Sequence, residues 1–236
     1  MPDIVASSDY LCYSIDYTGN WSATRDAPAS DSVTNWQNGT GFAVMVIRDA
    51  GRGGGTFVVV RSFIKFNVSS VGSGDVGTAS IKFTTLSYNN VGRIIAVKAA
   101  SDGSNVAHFD DMPGFSAGSS MAGNVTDYSD VTIDPSAMSV GSTFSLSLNS
   151  TFISDMENNN SVVVGLVSYD YDYLNTIPTP TQIFARCGMR GLNQTDPPTL
   201  AYTKAGYGNQ VSGIGNSNIA AIDGILTANI GTVIGV

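Results

Sequence analysis

Tyrosine and aspartate alternate in SYDYDY, residues 168–173, the densest run of chemically capable side chains in the sequence. On a strand, neighbouring side chains point to opposite faces. Tyr169, Tyr171 and Tyr173 then share one face, with Asp170 and Asp172 on the other. An exposed tyrosine row is a platform for stacking sugar rings or packing a partner, and two carboxylates offer the hard oxygen ligands that Ca²⁺ takes. The same alternation also describes an ordinary sandwich strand, in which the tyrosines complete the core and the acids face water. Both readings stand on the sequence, as they do for Trp21 and Trp36 in the first long loop, where an aromatic side chain is either available to a carbohydrate or part of the core.

A catalytic reading fails on inventory. His108 is the one histidine, and neither H-E-x-x-H, G-x-S-x-G nor a Cys–His spacing occurs. His108, Asp110 and Asp111 have the right atoms to ligate a metal, and equally the composition of a solvated loop. The glycine run GRGGG, residues 51–55, precedes a strand and lacks the Lys-Ser/Thr of a phosphate loop, so it reads as a turn. The expectation is a non-enzymatic protein with no cofactor, Ca²⁺ at the tyrosine–aspartate stretch being the exception to test.

The element best fitted to position such groups is TFVVVRSFIKFN, residues 56–67. Val58, Val60, Ser62, Ile64 and Phe66 alternate with Phe57, Val59, Arg61, Phe63 and Lys65, and β-branched and aromatic residues dominate. Period two with that composition predicts a long strand with one face in a core. Further strands are predicted over residues 10–17, 41–48, 79–88, 93–99, 127–133, 143–148, 161–173, 181–186 and 199–203. Long loops are predicted over 22–40 and 101–124, and a short helix over 150–156, capped by Ser150 and burying Phe152 and Met156. Many short strands with turns between them give an all-β fold, an antiparallel jelly-roll β-sandwich spanning residues 1–203.

The chain has 236 residues, 26 of them glycine, with 11 basic against 19 acidic side chains. Basic residues form no cluster able to neutralise phosphates, so nucleic acid is not an expected partner. No apolar run is long enough to span a membrane as a helix, and MPDIVASSDYLC at the start lacks the regions of a signal peptide. Low charge with abundant Ser, Thr, Asn and Gly suits an extracellular or virion protein. Cys12 and Cys187 read as buried thiols, or as a bridge if the first and last strands lie side by side.

Residues 204–236 differ in kind. Val211, Ile222 and Val233 recur at one fixed step, as do Ile214, Ile225 and Val236, and Asn218-Ile219 recurs as Asn229-Ile230. This eleven-residue repeat is apolar with a single charge, Asp223, and a lone tail of that composition cannot bury its own surface. Oligomerisation or anchoring through Val211, Ile214, Ile219, Ile222, Ile225, Ile230, Val233 and Val236 is therefore expected.

RSFIKFNVSSV (61–71), TASIKF (78–83), SVVVGLVSYD (161–170) and IFARCGMRGLNQTDPPTLAYT (183–203) come in an order and spacing that resembles the DNRLRE-type jelly-roll domains, relatives of carbohydrate-binding modules. The resemblance implies a jelly roll with a binding or structural role. Asn67 stands where the family usually has an aspartate, and Ala185, Arg186 and Cys187 where it usually has Ser-Arg-Glu, which puts a metal or sugar site built on those acids in question. The terminal repeat resembles repeats that end tailed-phage structural proteins. Together these resemblances imply a virion protein, as a head decoration, head fibre or tail component. Its partners would be its own copies, most plainly a trimer, other virion proteins and host surface glycan. A carbohydrate-binding module of a polysaccharide-degrading or adhesion system is the alternative.

Overall fold

Strand pairing radiates from the 56–67 segment, as its composition predicts. In the computed structural model, residues 3–34, 42–49, 55–89, 92–179, 185–205, 221–222 and 225–226 are described. The strands are β1 (Asp3–Val5), β2 (Ser8–Asp16), β3 (Ser32–Thr34), β4 (Phe42–Asp49), β5 (Thr56–Asn67), β6 (Val76–Asn89) and β7 (Ile94–Lys98), then β8 (Thr143–Leu148), β9 (Ser161–Ser168), β10 (Ala185–Met189) and β11 (Thr199–Lys204). Helix α1 (Trp21–Arg25) precedes β3, and α2 (Ser150–Asn158) precedes β9.

One edge of β5 pairs with β2 along its length, from Asp16↔Phe57 to Ser8↔Lys65. The other edge is shared: β4 takes its first half, Asp49↔Thr56 to Met45↔Val60, and β9 takes its second, Ser62↔Leu166 to Asn67↔Ser161. The sheet therefore forks at Arg61. One branch runs through β9 to β7, and the other through β4 and β10 into the second half of β6. The first half of β6 lies between β8 and β11, and β1 closes that edge. All eleven strands pair antiparallel, which makes the protein an all-β sandwich.

Inside the sandwich, Ile64 and Phe66 of β5 meet Ile81 and Phe83 of β6, Leu146 of β8 and Leu166 of β9. Helix α2 drops Phe152 and Met156, both fully buried, into the same core, and Tyr128 packs edge-on against Phe152 at 5.0 Å. Asn149, not Ser150, caps this helix, accepting from the Phe152 amide at 3.2 Å.

The other face of β5 is also buried, against the expectation of a one-sided strand. Phe57, Val59 and Phe63 form a second cluster with Trp21 and Phe109. Beyond it, Met112 and Met121 cover Ile95, Val97 and Val167 of β7 and β9. The 101–124 segment thus lies along the outer face of the sheet, where sequence placed it across one end. It crosses itself at Gly114, with φ at +90°, where a Cβ would lie 1.9 Å from the Asn124 carbonyl oxygen.

Three further expectations need correction. Residues 127–133 contribute only the isolated bridges Ile94↔Ile133 and Val97↔Asp127. The strand expected over 181–186 runs Ala185–Met189, with residues 181–184 outside those described. The 22–40 loop holds α1 and β3, with Asn20 capping α1 through the Ala23 amide. Cys12 and Cys187 are buried thiols and form no disulfide. Register explains this: Cys12 pairs with Arg61 and Cys187 with Val44, on four successive strands. Three strand spacings put them roughly 14 Å apart, twice the reach of a disulfide. Burial pushes the Cys12 thiol up to about 11.

Candidate functional site

The outer face of β5 carries one fully buried charge, Arg61, and the surrounding loops gather on it. Its Nε and Nη2 grip the Asp172 carboxylate at 2.8 and 2.9 Å, the two-point geometry in which guanidinium and carboxylate bind best. Nη1 donates to the Phe109 carbonyl at 2.9 Å and Nη2 to the Arg25 carbonyl at 2.8 Å. The rings of Phe109 and Phe115 lie 4.1 and 4.9 Å from the guanidinium carbon. A single side chain therefore ties α1, the 101–124 segment and the 169–173 turn to the sheet.

Arg25, also fully buried, completes the knot. Its Nε donates to the Asp172 carbonyl at 2.8 Å and lies 3.4 Å from the carboxylate, and its Nη1 pairs with Asp26. Asp26 in turn accepts from the Gly118 amide at 3.0 Å. Two guanidiniums thus meet two carboxylates, the balance that a dry charged site requires.

This knot overturns the strand geometry expected for SYDYDY. β9 ends at Ser168, and Tyr169–Tyr173 wind into a π-helical turn. The tyrosines do not share a face. Tyr173 is buried and donates its hydroxyl to Asp127 at 2.8 Å. Tyr169 stacks on Tyr173 at 5.2 Å, with the Arg93 guanidinium 4.5 Å from its ring. Tyr171, half-buried, packs against the Trp21–Phe57 cluster. The aspartates part company too: Asp170 accepts from the Arg93 amide at 2.7 Å and pairs with its guanidinium, while Asp172 turns inward to Arg61. An aromatic platform backed by a two-carboxylate cation site does not form there.

Trp36 lies outside the described residues. Trp21 is buried, donating to the Asn175 side chain at 2.9 Å and packing edge-on to Phe57 at 5.5 Å. His108 sits 3.7 Å from Asp102, Asp111 accepts from Ser101, and burial raises the Asp110 carboxyl. Among the described residues no three His, Cys, Asp or Glu side chains gather as a metal site.

No protein-family model and no curated protein matches this chain.

The remaining site was not singled out from sequence. On the inner side of β5, the face that is core at Ile64 and Phe66 continues toward the start of the strand as an open groove. Val58 stands between Ile15 and Ile47, and Val60 between Tyr13 and Met45, on directly paired positions. With Leu11, Ala43 and Thr34 these residues line a space of about 450 Å³. Tyr13, Ile15, Met45, Ile47 and Val58 are only half-buried. Its polar side-chain atoms are the hydroxyls of Tyr13 and Thr34, so the groove is built to bury apolar surface rather than to perform chemistry. The signal was in the sequence: FAVMVI and FVVV are apolar at every position, and a strand with one wet face would alternate.

Of the repeat, only Ala221–Ile222 (β12) and Ile225–Leu226 (β13) are described, and they pair antiparallel with Ile222 opposite Ile225. Val211, Ile214, Ile219, Ile230, Val233 and Val236 lie outside the described residues. No helix among the described residues is long and apolar enough to cross a membrane.

Proposed function

We propose that the protein is a non-enzymatic structural component of a tailed-phage particle, a head decoration, fibre or tail piece, that displays its sandwich and assembles with its own copies through the C-terminal repeat. The observation that carries the assembly role is the open apolar groove on a sandwich whose own chain ends in an apolar repeat. The virion setting rests on the resemblance of that repeat to phage structural proteins and on the composition of the chain.

Loss of the tyrosine platform weakens the glycan-binding alternative, since Tyr173 is buried and Tyr169 is engaged by Tyr173 and Arg93. A truncation for testing assembly should end after Ala205, because the Ala205 amide still bonds to Asp75 at 2.8 Å. Light scattering is expected to give a defined oligomer, a trimer, for the full chain, and a folded monomer for residues 1–205. A full chain that stays monomeric up to high concentration removes the assembly role.

A further inference from the structure

Resting on that reading, we infer that the groove lined by Tyr13, Met45, Ile47, Val58 and Val60 is the receiving site for the C-terminal repeat of a neighbouring copy. The two surfaces match in chemistry. Residues 206–236 carry one charge, Asp223, and present Val or Ile at eleven-residue steps, while the groove offers two hydroxyls and no charge. Three other clefts among the described residues carry charged groups. One contains Asp3, Lys82 and Asp196, a second Arg48, and a third Lys98 and Asp155.

A small ligand is a poorer occupant. Small-molecule pockets enclose most of their ligand and fix it with a few precisely placed polar groups, whereas this groove is open and offers only the Tyr13 and Thr34 hydroxyls. The piece of the repeat that is described, β12 with β13, is a two-stranded hairpin, an element that is marginal in water until an apolar face covers it.

The exit point of the chain lies at the other end of the sandwich from the groove. β11 ends at Lys204 opposite Val76, whose amide bonds to Glu157 at the end of α2. The Asn160 carbonyl accepts from the Val68 amide, just past the end of β5. The chain therefore leaves at the end of the sandwich where β5 finishes, and the groove lies toward its start. From Val60 to Asn67 alone the strand covers roughly 23 Å. A tail leaving one end and a groove near the other make a head-to-tail contact, which closes into a ring when the rotation between copies permits.

Two full-length variants separate the possibilities. Val58→Lys places a charge in the groove and leaves the tail intact, and Ile225→Asp does the reverse. Each is expected to run at the mass of a single chain with an unchanged far-ultraviolet circular dichroism spectrum. Mixed one to one they should form a heterodimer, because one supplies a tail and the other a groove. If Val58→Lys keeps the wild-type mass while Ile225→Asp is monomeric, the groove is not the receiving site, although assembly through the repeat stands. If both are monomeric and do not combine, the tail docks within its own chain or elsewhere, and the inference is overturned. A monomeric wild-type chain overturns the assembly reading itself. Met45→Lys, at a half-buried position, replaces Val58→Lys if that variant fails to fold.

Discussion

Arg61 shows how far one residue can depart from its local pattern. Alternation assigned it to an outward face turning polar, yet it is buried, because Asp172, Phe109 and Arg25 supply acceptors from distant parts of the chain. No window of sequence contains that information: Arg61 and Asp172 are 111 positions apart. What could be read was chemical type, since a lone arginine between Val59 and Phe63 on a strand needs a partner if it is buried. Removing one member of the pair leaves an uncompensated buried charge, a loss of about 3–5 kcal/mol. Arg61→Met and Asp172→Asn should each lower the unfolding free energy by that order, with a matching fall in melting temperature. The double variant should lose less than the sum by at least about 0.5 kcal/mol, the signature of residues acting as a unit. Strict additivity in denaturant titrations would mean that the two side chains do not depend on one another.

Elements were legible where local signals and burial agree. β5 matches its expected bounds at Thr56–Asn67, and β8 matches at Thr143–Leu148, where exposed and buried residues alternate without exception. Helix α2 was visible from the four-residue spacing of Phe152 and Met156. Its cap was misassigned by one position, because Asn149 and Ser150 are both good caps and only geometry separates them. The five-residue α1 has too few turns for periodicity to register, though Asn20 ahead of it was a usable signal. The tyrosine–aspartate run satisfied period two and still coiled, since a strand would have pointed Asp172 away from Arg61. In α2 the cap and the core contact should differ in size. Asn149→Ala removes the cap and a bond to the Asp127 carbonyl at 3.0 Å, for about 1–2 kcal/mol. Phe152→Ala opens a cavity in the main core, for about 3–5 kcal/mol. Chemical denaturation of the two variants measures both, and equal losses would contradict the division of roles.

At the scale of the whole molecule the fork of the sheet at Arg61 has a dynamic consequence. The core between β5, β6, β8 and β9 is held by side chains such as Ile64, Phe66, Ile81 and Leu166, none of which involves the charged knot. The outer layer of α1, the 101–124 segment and the 169–173 turn is joined to the sheet at the two buried arginines as well as through the second and third clusters. Two such layers can open with different free energies, as cooperative units within one fold. Hydrogen exchange read by mass spectrometry should place the β5, β6 and β9 amides in the most protected class. In Arg61→Met, protection should fall together in residues 20–26, 101–124 and 169–176, with β6, β8 and β11 nearly unchanged. Shared loss across three segments so far apart in sequence is what a common tether requires. Loss confined to the 169–176 turn would instead make Arg61 a local partner of Asp172, and loss spread evenly over all strands would make the sandwich and its outer layer a single cooperative unit.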